Sequence, residues 1–169
     1  MVELIFGYFA ITILVISLLV VTSRNPVHSV LWMLLLFFHV AGVYLMLNAE
    51  FLAATQIIVY AGAILVLFLF TIMLLNLREE MRLKRFTIGW PAGLVVATGV
   101  LIVLMVGLKG FKTTFVGPWG IKEIEKATHT KALGKVLFTE YLLPFEIASL
   151  VLLVAILGAV VLAKKKLKT

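Results

Sequence analysis

The chain has 169 residues, of which 63% are hydrophobic and 14% charged, with a mean hydropathy of +1.19 and no cysteine. A soluble domain is about 45–50% apolar and about 25% charged, and a chain this short cannot hide the excess in a core, so it reads as a membrane protein. Without Cys it has no disulfide, thiolate-ligated zinc, cysteine-bound iron–sulfur cluster or Cys nucleophile. The net charge of +7 comes from Lys and Arg between and beyond the apolar runs, which is a topology signal rather than a nucleic-acid one.

A helix crosses a hydrocarbon core of about 30 Å with about 20 mainly apolar residues. Five runs meet that length: Leu4 to Val21, Ser29 to Leu47, Phe51 to Leu75, Ile88 to Leu108 and Tyr141 to Ala163. They leave almost two thirds of the chain inside the bilayer and predict an all-α membrane protein, a single integral-membrane domain over residues 1–169. The first run lacks a basic n-region and a small-residue cleavage site, so it is expected to be a retained span and not a signal peptide.

At the second span, Asn25-Pro26 reads as an N-cap followed by Pro at the first helical position, where a missing N–H costs nothing. Asn48 is expected to cap the third span, with Glu50 in its first turn near the positive end of the helix dipole. Pro144 and Glu146 repeat the arrangement at the fifth. Trp32, Trp90 and Tyr141 sit near span starts, as interfacial anchors do.

Between the fourth and fifth spans lies the one long extramembrane loop. Gly110, Gly117, Pro118 and Gly120 break its first half, and Ile121 to Phe138 has the pattern of a short surface helix. It is too small for a catalytic domain. Basic residues set the orientation. Arg24, the cluster Arg78, Arg82, Lys84 and Arg85, and the tail Lys164, Lys165, Lys166 and Lys168 fall on one side. Lys109, Lys112, Lys122, Lys126, Lys131 and Lys135 are spread thinly on the other. The denser set belongs inside, which predicts an external N-terminus and a cytoplasmic C-terminus. No internal repeat is visible, so a duplicated transporter is not supported.

Catalytic chemistry is sparse. There is no Gly-rich dinucleotide fingerprint and no phosphate-cradling loop. His28 and His39 are eleven positions apart, about 16 Å along one helix, too far to grip one metal, and His129 is in the loop. A haem would need His39 plus a histidine from another subunit; the alternative is that His39 hydrogen-bonds to a neighbouring helix.

The third span carries the polar signal. Gln56 and Tyr60 are four apart and stack on one face of an α-helix, with Thr71 close to that face. Polar groups in hydrocarbon need partners, so this face should point at protein or water. Beside Tyr60, Ala61-Gly62-Ala63 lets a neighbouring backbone approach or lets the helix deform. Two readings are open: a tight packing notch, or a hinge or bulge beside a proton or water path. A π-bulge there would rotate everything after it by roughly 100° and move Thr71 off the Gln56/Tyr60 face.

Glu50 is either a solvated carboxylate at a helix start or the mouth of a proton path. Glu146, about one turn inside the fifth span, can snorkel or pair with a partner's base. Ala155, Ala159 and Ala163, with Gly158 beside them, form a small-residue seam for helix contact. The cluster from Arg78 to Arg85 reads as a solvated turn.

Three stretches together carry a family resemblance. Asn25-Pro26-Val27-His28 opens the second span, Glu50 to Asn76 is centred on Tyr60-Ala61-Gly62-Ala63, and Tyr141-Leu142-Leu143-Pro144-Phe145-Glu146-Ile147-Ala148-Ser149 opens the fifth. They resemble the subunit J family of the proton-pumping NADH:quinone oxidoreductase, respiratory complex I. The likeness runs along the first three spans and again from about Ala132 to Ala163, and it is not readable in the fourth span or the first half of the long loop.

The resemblance implies five transmembrane helices with a π-bulge in the third near Tyr60 to Ala63. It implies a non-catalytic subunit in an inner (cytoplasmic) membrane with no redox cofactor of its own, the flavin, iron–sulfur clusters and quinone belonging to partner subunits. It places the chain between the quinone-site subunits A and H and the antiporter-like subunit N, beside the small subunit K, whose glutamates share a proton path. Carried over to this sequence, Tyr60 and Gly62 mark a gate and Val66 a hydrophobic constriction one turn on. Glu146 becomes a structural or lateral polar contact. Two other readings compete: a stand-alone small ion or proton transporter, for which only Glu146 and His39 qualify as intramembrane ionisable groups, and a purely structural adaptor with no moving part. A straight, bulge-free third helix would favour the adaptor.

Overall fold

The computed structural model describes residues 2–75, 90–110 and 128–164, and no strand occurs among them. Its helices are α1 (Val2–Thr22), α2 (Pro26–Met46), α3 (Glu50–Leu74), α4 (Trp90–Gly110), α5 (His129–Thr139) and α6 (Leu142–Ala163). All but α5 are long and apolar enough to cross a membrane, as the five hydrophobic runs predict. The cluster from Arg78 to Arg85, the start of the fourth run at Ile88, the loop glycines after Gly110, the first part of the expected surface helix and the lysines of the tail beyond Lys164 lie outside the described residues.

The chain forms two compact units, Met1–Phe115 and Val116–Thr169. In the first, the turn between α1 and α2 is encoded as the sequence predicts. Asn25 is the N-cap, its Oδ1 accepting from the Val27 N–H at 2.9 Å, with Pro26 at the first helical position. The Ser29 hydroxyl then donates to the Val20 carbonyl at 2.6 Å, tying the start of α2 to the end of α1.

Asn48 does not cap α3. The α3 N-cap is Ala49, with no side-chain hydrogen bond, and Asn48 sits at φ 55 as the residue that ends α2. The Ala49 N–H reaches back to the Tyr44 carbonyl at 2.9 Å and the Asn48 N–H to the Leu45 carbonyl at 3.0 Å, the paired bonds of a Schellman motif. Asn tolerates the left-handed region that this motif requires, and that use wins over the N-cap role.

Packing between α1 and α2 depends on one missing side chain. A Cβ at Gly42 would lie 2.5 Å from Phe9 Cε1, so the Phe9 ring occupies the space that Gly42 leaves. Tyr8, Phe9 and His39 form a ring cluster there, with centroids 5.4 to 6.2 Å apart. Close approach over small residues is how helices associate where lipid tails are as apolar as the core. Elsewhere the apolar side chains face outward: every described side chain of α4 and of α6 is exposed, which fits surfaces that meet lipid or partner subunits. Other hydroxyls on the spans donate to a carbonyl of their own helix, Ser17 to Leu14, Thr22 to Leu18, Thr98 to Leu94 and Ser149 to Glu146, which satisfies them without water.

In the second unit, α5 ends in a tight turn in which the Glu140 and Tyr141 N–H groups both reach the Val136 carbonyl. Phe138 packs edge-to-face on Phe145 with centroids 5.2 Å apart, which fastens α5 to the start of α6. Pro144 is the third residue of α6, still within the first turn, where N–H groups have no intrahelical acceptor.

Candidate functional site

α3 is not one regular helix. It runs as α-helix over Glu50–Thr55, as π-helix over Gln56–Ile64, and as α-helix again over Leu65–Leu74. The Leu65 N–H bonds the Tyr60 carbonyl five residues back. The π segment coincides with the Gln56 to Ala63 stretch singled out by its polar and small residues. A Cβ at Gly62 would stand 3.3 Å from the Ile57 carbonyl oxygen, also five residues back, so the absent side chain leaves that carbonyl uncrowded.

The wide turn changes which residues share a face. The buried residues of α3 are Ala53, Gln56, Ala61 and Leu65, at 3%, 8%, 3% and 4% exposure. Their steps are three, five and four, and the step of five is one π turn. Tyr60, the residue an α-helix would align with Gln56, is 47% exposed. The expected Gln56/Tyr60 face is therefore not formed, because it assumes 3.6 residues per turn across a segment that has more. Thr71 is exposed as well, its hydroxyl donating to the Leu67 carbonyl at 2.8 Å.

Each predicted site residue can now be placed. Gln56 is buried, and its carboxamide has no hydrogen-bond partner among the described residues. Tyr60 packs edge-to-face on Phe37 of α2, with centroids 6.1 Å apart. Gly62 and Val66 lie on the exposed side, and Glu50 is exposed in the first turn of α3. Among the described residues His39 has no hydrogen-bond partner on a neighbouring helix: its Nδ1 is 2.8 Å from the Leu35 carbonyl of its own helix. A carbonyl oxygen only accepts, so Nδ1 is the donor in this bond. Glu146 is exposed one turn into α6. His129 opens α5, and its buried Nδ1 has no partner among the described residues.

The structure thus brings Gln56, Ala61 and Leu65 onto one buried face and puts Tyr60 against Phe37. The sequence does not single out Phe37 or Leu65, and it marks Ala61 only as part of the small-residue notch, not as the residue that shares a face with Gln56. Ala61 and Leu65 become legible only when the period is changed to five at Gln56; nothing in the spacing of α2 points to Phe37.

The family model for NADH-ubiquinone/plastoquinone oxidoreductase chain 6 matches residues 16–162, continuously through the fourth span and the loop where no likeness is readable by eye. The NADH-quinone oxidoreductase subunit J of Rickettsia felis is 37% identical, over 95% of this chain and 80% of its own length. That of Rhodobacter capsulatus is 40% identical, over 93% and 79%. The NAD(P)H-quinone oxidoreductase subunit 6 of the Paulinella chromatophora organellar chromatophore is 41% identical, over 95% and 78%. With a family match across most of its length and relatives at this level, the chain belongs to the NADH-ubiquinone/plastoquinone oxidoreductase chain 6 family, which includes the bacterial subunit J proteins.

Proposed function

We propose that the chain is a membrane-arm subunit of a proton-translocating NADH:quinone oxidoreductase, and that it couples quinone reduction to proton movement by converting α3 between π and α geometry. The observation that carries the proposal is the nine-residue π segment Gln56–Ile64 in a span that otherwise has ordinary α-helix on both sides. In the α form Gln56 aligns with Tyr60 instead of Ala61, and Tyr60 replaces Ala61 on the inward face. The conversion thus exchanges a methyl group for a phenol next to a buried carboxamide, which makes or breaks a polar path through this part of the membrane. Residues beyond the segment, Val66 included, turn with it, and Glu50 stands at the mouth of the path.

The energy scale suits a switch. π and α forms differ by a few backbone hydrogen bonds at about 0.5–1.5 kcal/mol net each, within the range that a partner's differential contacts can bias. Quinone chemistry elsewhere in the assembly supplies that bias.

This chain's own role is to position and gate. Among the described residues no three His, Cys, Asp or Glu side chains come together as metal ligands, and the chain has no Cys. Flavin, iron–sulfur clusters and quinone are assigned to partner subunits. The neighbours proposed are the small subunit K, the quinone-site subunits A and H and the antiporter-like subunit N. Glu146, exposed on α6, serves as a lateral contact for a basic group of a partner. The setting is the inner membrane, with the N-terminus outside and the C-terminus cytoplasmic.

The test is purification from native membranes through a tag on this chain. Recovery with large antiporter-like and iron–sulfur subunits supports the assignment. Recovery of the chain alone and folded would return it to the stand-alone transporter reading.

A further inference from the structure

A cleft opens beneath the α1–α2 turn, away from the π segment. Its volume is about 310 Å³, and it is lined at the turn by Arg24 and Ser29 and deeper by Val30, Met33, Phe68 and Ile72. The two ends differ in chemistry. Ser29 already donates to Val20, and Ser23, also at the mouth, donates to Asn25, so the serine protons are committed to backbone carbonyls. Arg24 is exposed and has no hydrogen-bond or acidic partner among the described residues. Beyond it the lining is apolar, and Met33 lies seven residues into α2 from Pro26, about 10 Å deeper along the helix.

A guanidinium at the boundary of a membrane span above an apolar slot running inward matches a ligand with an anionic head and a hydrocarbon tail. A soluble anion would use only the first half, and a neutral lipid only the second. Arg is also the side chain best shaped for bidentate hydrogen bonding to a phosphate. A volume of this size is at the low end of ligand pockets and accommodates the head-proximal part of one acyl chain. We infer that the cleft holds one anionic phospholipid, its phosphate on Arg24 and an acyl chain along Met33, Phe68 and Ile72. The lipid bridges the α1–α2 turn to the end of α3 and so links that turn to the helix that carries the π segment.

The test uses the assembly in which the chain is purified, reconstituted in phosphatidylcholine nanodiscs doped with a phosphatidylglycerol bearing a diazirine in its acyl chain. After photolysis, peptide mass spectrometry maps the adducts. The expected result is labelling at Met33, Phe68 or Ile72, competed by unlabelled phosphatidylglycerol and not by phosphatidylcholine. Arg24→Gln is expected to lower it at least about fivefold, the factor for one basic residue at an anionic surface, and Arg24→Lys to restore much of it. Equal labelling in Arg24→Gln, or equal competition by phosphatidylcholine, would overturn the inference in favour of an ordinary neutral lipid shell. Labelling only elsewhere on the chain would also overturn it. If Arg24→Gln does not assemble, the competition experiment on the unmodified protein decides alone.

Discussion

Gly62→Val is the substitution that bears most directly on the π segment. In the π form a Cβ at position 62 stands 3.3 Å from the Ile57 carbonyl oxygen, inside ordinary contact distance. Opening the gap by 0.2 Å at the end of a bond of about 1.5 Å takes a bond-angle change near 7°, which costs about 1 kcal/mol. The α form has no such crowding, since regular α-helices accept a Cβ at every position and gain about 0.5–1 kcal/mol when Gly is replaced by Ala. Valine adds two methyl groups restricted to one main rotamer in a helix. A net shift of about 1–2 kcal/mol toward the α form lowers the π to α ratio roughly fivefold to thirtyfold. The assay is NADH-driven quinone reduction in proteoliposomes with simultaneous proton uptake. The reductase rate and the amount of assembled complex are expected to stay near those of the parent, while protons moved per electron fall, with Gly62→Ala intermediate. A full proton-to-electron ratio at the parental reductase rate in both variants would refute the gating argument.

Three further substitutions separate gating from folding. Tyr60→Phe keeps the edge-to-face contact with Phe37 and removes only the hydroxyl, so assembly is expected to be normal and the proton-to-electron ratio reduced; an unchanged ratio would remove the phenol from the path. Gly42→Val drives a side chain into the Phe9 ring, 2.5 Å from the Cβ position, an overpacking worth about 1–3 kcal/mol. It should lower the melting temperature of the complex, and Phe9→Ala in the same chain should restore part of the loss. At Asn48, held at φ 55, Gly should be neutral or stabilising and Val destabilising by about 1–2 kcal/mol, measured as thermal stability in detergent.

Local chemistry made the spans and the first cap legible. Apolar runs of membrane length have few competing structures, and the Asn25 side chain caps an N–H only two residues on, so both appear where the sequence places them. The misreadings have a common cause, since each residue involved had more than one satisfactory partner. Asn48 is suited either to start α3 or to end α2, and only the geometry of the turn chooses. His39 has a carbonyl of its own helix within reach, which makes a partner on another helix unnecessary.

The pairing of Gln56 with Tyr60 failed for a deeper reason. A face can be read from a sequence only once a period is assumed, and the small residues at Ala61 to Ala63 that suggest a deformation also invalidate the period. Glu146 and the small-residue seam at Ala155 and Ala159 stand on a helix whose side chains are all exposed.

On the proposed function, α3 changes between π and α during turnover. Because the chain has no native cysteine, single cysteines report it cleanly: the rates of modification of Tyr60→Cys and Ala61→Cys by a small membrane-permeant methanethiosulfonate, measured in the resting complex and during steady NADH oxidation. In the π form position 60 is exposed and position 61 buried, so the resting complex should react faster at 60. During turnover the rate at 61 should rise and that at 60 fall, as the α form exchanges the two. Identical rates in both conditions, in variants that still pump protons, would show that α3 keeps one geometry throughout turnover.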